Sequence, residues 1–255
     1  MSSSAHLKST GTRLTHLDTV RGLAVMGILV MNSVSFGLGN VAYFDVSAHG
    51  TETFMDWTLG ILGEVFADQK FMGLFSLLFG ASLLLFLERA QAKGPSPVKL
   101  SLWRNGLLLV MGIAHALIWT GDVLTVYALC APLLLLLRNR SWKFLITCGV
   151  AIFSLAMIQE ALLGVYTTDD ALRAVWREEL NTPEIELLAL SYVSDAFIRA
   201  LGMMMVGMGL YRHGFLMNPN VTSKVLRAAK AALAVGIIIS GSSLPSGPVL
   251  SITSQ

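Results

Sequence analysis

Long apolar runs, bounded by charged or turn residues, recur along this chain of 255 residues. A helix that crosses the roughly 30 Å hydrocarbon layer of a bilayer needs about 20 mostly apolar residues. Only 13% of the residues are charged and the mean hydropathy is +0.66, which makes the chain too apolar for an ordinary soluble domain. The sequence therefore predicts an all-α, polytopic transmembrane helix bundle.

About seven runs qualify as membrane spans, and we expect no soluble domain between them. The predicted spans are 17–38, 69–87, 103–120, 122–137, 142–164, 192–211 and 226–244. They divide the chain into a cytoplasmic tail at 1–16, a transmembrane bundle at 17–216, and a remainder at 217–255. This remainder holds a cytoplasmic loop, the short seventh span and a polar tail.

Basic residues collect at alternate connections between the predicted spans. The N-terminal tail and the second-to-third, fourth-to-fifth and sixth-to-seventh connections hold 13 of the 18 Lys and Arg residues. The charged residues of the segment 165–186, in contrast, are mainly acidic. Because basic loops are retained in the cytoplasm, we expect the N-terminus inside and the segment 165–186 outside.

Composition and missing motifs exclude several classes of protein. A net charge of +2 gives no concentrated basic face, so nucleic acid is not an expected partner. Cys130 and Cys148 lie in apolar runs without CxxC spacing, which favours buried hydrophobic residues over zinc ligands or a disulfide. GxxxxGK, HExxH, GxGxxG and GxSxG motifs are absent from the sequence. We expect no metal and no bound cofactor; the lipid bilayer is the expected partner, and homo-oligomer formation stays open.

Charged and polar residues inside two predicted spans are candidate substrate-binding residues, because such groups in lipid usually face a cavity or one another. Asp18, Arg21 and Asn32 fall within about 60° of one helix face at 100° per residue. Asp195 and Arg199 are four positions apart, on one side of the sixth span. In both cases the alternative is structural: ion pairs that anchor a helix and an asparagine that joins helices.

His115 and Asp122 are the candidate catalytic residues. His115 lies about 16 Å past Arg104 along the third span, at nearly the depth of Asn32 in the first. Asp122 follows the next turn, close enough to orient an imidazole. A histidine with a carboxylate is a common general base, since its pKa lies near neutrality. The alternative is a neutral histidine hydrogen-bonded between helices.

Four sequence blocks together resemble the YeiB-like family of bacterial inner-membrane proteins. They are LDTVRGLAVMGILVMN (17–32), KFMGLFSLLFG (70–80), GIAHALIWTGDVLTVYA (112–128) and LGMMMVGMGLYRHGFL (201–216). The resemblance implies a polytopic helical fold in the inner (plasma) membrane and a domain of unknown function. Proteins of this family usually continue with a further group of helices, so we expect this chain to lack the C-terminal half.

The LDxxRG motif at 17–22 also resembles the start of transmembrane acyltransferases of the heparan-α-glucosaminide N-acetyltransferase kind. This resemblance implies a cytoplasmic acyl-CoA donor and an acceptor reached from the outer side. In bacterial sugar O-acyltransferases a histidine commonly stands where this chain has Asn32. His115 would then have to supply the base.

Three functions from different classes follow. In an acyltransferase, Arg21 attracts the anionic donor, His115 takes the proton of an acceptor hydroxyl, Asp122 orients the imidazole, and Asn32 holds the acyl oxygen. In a transporter or permease for a small polar solute, the same residues line a pathway. In a non-catalytic structural or accessory membrane protein, they serve helix packing.

Overall fold

The computed structural model describes residues 15–38, 69–94, 96–119, 121–166 and 183–217, together with 55, 58, 62–63, 227 and 230. The helices with described bounds are α1 (Thr15–Leu38), α2 (Lys70–Gln91), α3 (Pro97–Ala116), α4 (Leu124–Leu137), α5 (Trp142–Tyr166) and α6 (Pro183–His213), followed by a 3₁₀ helix at Phe215–Met217. No strand occurs within these ranges, so the all-α prediction is confirmed for the described residues.

Each of the first six predicted spans overlaps one of these helices, but several boundaries differ. α6 begins nine residues before the predicted start at 192, and α2 ends at Gln91 rather than 87. α3 begins six residues before the predicted start at 103 and ends at Ala116, and α4 begins at Leu124. Of the described residues between them, Leu117, Ile118 and Gly121 lie in turns. Asp122 accepts hydrogen bonds from the first backbone N–H groups of α4, which marks the start of that helix. The predicted seventh span at 226–244 lies outside the described residues, apart from the two positions 227 and 230.

Three segments are long and apolar enough to cross a membrane: Lys70–Gln91, Trp142–Leu163 and Leu190–His213. Leu124–Leu137 is a shorter apolar helix. Large apolar side chains such as Val110, Leu136 and Leu155 are exposed on the described helices. Exposed apolar surface of this extent is characteristic of contact with lipid or a partner rather than with water. These features define a membrane protein, as the sequence predicts.

The chain divides into two compact units. The first comprises Met1–Met26 and Phe71–Met217, and the second comprises Gly27–Lys70 and Asn218–Gln255. The first unit contains the beginning of α1, α2 from Phe71 onward, and all of α3 to α6. The second contains the remainder of α1, including Asn32. The predicted domain limits at residues 16 and 216 stay a prediction.

The core of the first unit forms where α2, α4, α5 and α6 meet. Tyr127, Leu145 and Met204 are fully buried there. The methionines of α6 suit this position because their flexible thioethers fill irregular gaps. Cys130 is buried in this core, as predicted, and Cys148 is half-buried and packs against it.

Glycines allow the helix backbones of the first unit to approach closely. A Cβ atom on Gly80 of α2 would overlap the backbone of Met204 on α6, and one on Gly207 would overlap the backbone of Leu77. Between α5 and α6, a Cβ on Gly202 would lie 2.8 Å from the carbonyl oxygen of Gly149. Small residues at such crossings are typical of helix packing in membranes.

Candidate functional site

The His115–Asp122 pair lies where α3 ends and α4 begins. The imidazole Nδ1 is 2.8 Å from the Asp122 Oδ1 atom, so the structure brings the two predicted catalytic residues together. The backbone N–H groups of Leu124 (3.2 Å) and Thr125 (2.9 Å) donate hydrogen bonds to the carboxylate of Asp122. Its side chain is 3% exposed, whereas that of His115 is 44% exposed. The imidazole is therefore accessible while the carboxylate that orients it is buried.

The charge of Asp122 follows from its place in the turn between α3 and α4. Burial raises the pKa of its carboxyl, but hydrogen bonds from Thr125, His115 and Leu124 together outweigh burial and hold the pKa below its ordinary value of 3.8. Asp122 is therefore ionised at neutral pH. A carboxylate at Nδ1 favours the imidazole tautomer that donates from Nδ1 and leaves Nε2 as an acceptor.

Arg21 forms a second polar cluster in the first unit. Its Nη1 atom lies 3.0 Å from the carboxylate of Asp18, one helical turn earlier, as the spacing predicts. Its Nη2 atom donates a hydrogen bond to the hydroxyl of Ser82 on α2, a contact that the sequence does not reveal. Asn32 belongs to the second unit, and its predicted role at the acyl oxygen stays a prediction.

Beside Arg21 the first unit contains a cavity of about 340 Å³, which we call the arginine cavity. Its lining residues are Arg21, Phe75, Leu78, Phe79, Ser82, Leu85, Phe86, Arg89 and Arg104. The sequence indicates only that Arg89 and Arg104 belong to a basic connection. The short connection between α2 and α3 could have indicated that the two arginines lie close together, because helices joined by a short loop are usually antiparallel neighbours.

The third cluster joins α5 to α6 around Arg199. The Arg199 Nε atom is 2.5 Å from Asp195 Oδ2, and its Nη2 atom is 2.6 Å from Oε2 of Glu160 on α5. The guanidinium also lies 5.9 Å from the ring centroid of Phe153. Two carboxylates already neutralise this arginine, so the contacts favour an interhelical ion pair over the predicted substrate-binding role. Glu160 had no local sequence signal, because it lies on another helix.

The arginine cavity and the His115–Asp122 pair lie toward opposite ends of α3. Arg104 and His115 are eleven residues apart on this helix, which corresponds to about 16 Å along its axis. Within the described ranges no group of three or more His, Cys, Asp or Glu side chains is arranged to hold a metal ion. The described polar groups thus offer a cationic cavity at one end and a proton-accepting pair at the other.

The helices and their apolar surfaces place the chain among the multi-helix membrane proteins, and comparison with known sequences narrows this class. The chain is 31% identical over 247 residues to the uncharacterized protein YeiB of Escherichia coli K12, an alignment that covers 88% of this chain and 62% of YeiB. It is 36% identical over 157 residues to the uncharacterized protein YxaH of Bacillus subtilis 168, which covers 58% of this chain and 38% of YxaH.

A third relative, an uncharacterized 39.9 kDa protein in the amylase 3′ region of Bacillus acidopullulyticus, is 33% identical over 123 residues, or 48% of this chain and 33% of that protein. These similarities confirm the resemblance to the YeiB-like family. The chain spans less than two thirds of the length of each of these relatives. No protein-family model and no solved structure matches it.

Proposed function

We propose that this protein transfers an acyl group from a cytoplasmic acyl-CoA to a hydroxyl acceptor at the outer side of the bacterial inner membrane. The observation that carries the proposal is the contact between the partly exposed imidazole of His115 and the buried carboxylate of Asp122. A purely structural histidine has no need of an exposed ring, whereas a general base requires one that the acceptor can reach.

In the proposed reaction, Nε2 of His115 takes the proton of the acceptor hydroxyl as its oxygen attacks the thioester carbonyl. The carbon–sulfur bond then breaks, and the leaving thiolate of CoA receives the proton from the imidazolium. Asp122 keeps the ring oriented and stabilises its positive charge throughout. Arg21 is proposed to attract the anionic donor.

The same proposal includes the finer topology: seven spans, with the N-terminus in the cytoplasm. The alternating basic connections support this orientation, because loops rich in Lys and Arg are retained on the cytoplasmic side. Arg89 and Arg104 then lie toward the cytoplasm and the turn at Asp122 toward the outside. A donor from the cytoplasm and an acceptor from outside would thus meet along α3.

The test is a comparison of His115→Ala with His213→Ala in the purified full chain. His213 is an exposed histidine at the end of α6, so its removal is a matched control. Release of free CoA from acetyl-CoA or a longer acyl-CoA, in the presence of hydroxyl acceptors, should fall about 10²- to 10⁴-fold in His115→Ala. Asp122→Asn should lose less activity, because it disturbs the orientation of the base without removing it.

Folding must be verified first, by monodisperse elution in detergent and an unchanged unfolding temperature, since a lost buried hydrogen bond imitates a catalytic defect. Full turnover in folded His115→Ala would contradict the proposed base. Uptake of a solute into vesicles without covalent change would instead support the transporter alternative.

A further inference from the structure

The arginines of the arginine cavity differ in whether a carboxylate neutralises them. Arg21 is paired with Asp18. Among the residues that the structure describes, no carboxylate forms an ion pair with Arg89 or Arg104. The cavity therefore carries an excess of about two positive charges. Both of these side chains are exposed, so their charges are available to an anionic ligand.

The walls of the cavity combine these cations with aromatic rings. Phe75, Phe79 and Phe86 line it, and the guanidinium of Arg104 lies 4.0 Å from the ring centroid of Phe86. Stacking on a ring holds the planar guanidinium in place, and a guanidinium in a held orientation binds phosphate oxygens with two parallel hydrogen bonds. The rings provide apolar surface for whatever is attached to the phosphate.

The volume and charge of the cavity select one chemical class of ligand. A volume of about 340 Å³ admits a phosphate group with part of an organic body but not a whole large cofactor. We propose that the arginine cavity binds a phosphate ester that carries an apolar or aromatic body, with Arg89 and Arg104 as the phosphate ligands. This inference depends on the charges and walls of the cavity and not on acyl transfer.

Two sources share this chemistry, a soluble phosphate ester such as coenzyme A and the headgroup of an anionic phospholipid. The experiment uses the purified full chain in two arms. In the first, coenzyme A is titrated into protein held in phosphatidylcholine nanodiscs, with pantetheine as the probe that lacks phosphate. In the second, the unfolding temperature is compared between nanodiscs with and without phosphatidylglycerol.

Both arms are repeated with Arg89→Gln, Arg104→Gln and the control Lys93→Gln. Lys93 is exposed just after α2 and does not line the cavity, so its substitution removes the same charge elsewhere. Each arginine variant should weaken binding about tenfold, the effect of losing one charge-assisted hydrogen bond. Lys93→Gln should bind as the wild type does. If an arginine variant fails to fold, Arg104→Lys, which keeps the charge, should bind with intermediate affinity.

A response to coenzyme A alone identifies a soluble ligand, and a response to phosphatidylglycerol alone identifies a lipid. Response to neither probe, equal binding of pantetheine, or an equal loss in Lys93→Gln overturns the proposal. His115→Ala should bind the phosphate probe normally. In this variant, loss of acyl transfer with normal binding would show that the two activities are separable. A failure of the proposed function can therefore be distinguished from a failure of the phosphate-ester proposal.

Discussion

At the scale of single residues, three arginines of the first unit show two different environments. Arg199 is buried and meets two carboxylates from two helices. Arg89 and Arg104 border a cavity and form no ion pair with a described carboxylate. The sequence predicts that a charged residue in a span has a partner or a cavity, but the choice between them depends on the neighbouring helix.

We predict that Arg199→Met destabilises the protein by about 3–5 kcal/mol, because it leaves the carboxylate of Asp195, which is only 19% exposed, without its partner. The Oδ1 atom of Asp195 is already buried without a hydrogen bond among the described residues. The free energy of unfolding is measured by denaturant titration in detergent. Adding Asp195→Leu to Arg199→Met should restore most of the loss, since removing both charges leaves no unpaired ion.

Glu160→Gln is the matched comparison for that prediction. The Glu160 side chain is 64% exposed, so its contribution to Arg199 is weakened by solvent and the loss should be clearly smaller. A free energy of unfolding for Arg199→Met within about 0.5 kcal/mol of wild type, the range of ordinary surface substitutions, would show that the ion pair does not hold α5 to α6.

At the scale of elements, the helices of the first unit are positioned by glycine as much as by large side chains. α2 and α6 cross where Gly80 and Gly207 each face the backbone of the other helix. This crossing buries Met204 and Met208 in the core, and α2 also supplies residues of the arginine cavity. The position of α2 therefore affects both the core and the candidate ligand site.

We predict that Gly80→Ala costs at least the 1–3 kcal/mol typical of an overpacked core, because the added methyl group meets backbone that has no rotamer to change. Gly106→Ala is the control: it is also in a helix, and its Cβ would have no neighbour within 4 Å. Unfolding temperatures in detergent compare the two. Equal unfolding temperatures for both variants and the wild type would contradict the close crossing.

At the scale of the whole molecule, the orientation in the membrane decides which ligands can reach each site. The basic connections that predict it include Lys93 and Lys224, whereas the acidic segment 165–186 is expected outside. Lys224 and most of the acidic segment lie outside the described ranges. The predicted topology therefore depends on the charge distribution along the sequence, which thiol labelling tests directly.

We predict that Asp170→Cys reacts with a membrane-impermeant thiol reagent in intact cells, while Lys93→Cys and Lys224→Cys react only after permeabilisation. Cys130→Ala and Cys148→Ala in the same chain remove the two native thiols. Permeabilised cells, in which all three positions should react, are the control for accessibility. Reaction of Lys93→Cys in intact cells would reverse the orientation, and with it the sides proposed for donor and acceptor.

The sequence by itself determined the class of protein, the approximate places of the six described helices and the local polar pairs. The length of an apolar run and a spacing of three or four residues are properties of one segment, so they predict α1 and the Asp195–Arg199 contact without knowledge of the fold. The His115–Asp122 contact spans a single turn and was predictable for the same reason.

Only the tertiary structure decided which polar groups share a site. The hydrogen bond from Arg21 to Ser82 and the ion pair of Arg199 with Glu160 cross from one helix to another. The cavity that joins Arg21 to Arg104 depends on how three helices pack. Helix periodicity specifies the face on which a residue lies but not the helix that covers that face. Side-chain packing and the close approach that glycines permit determine that partner.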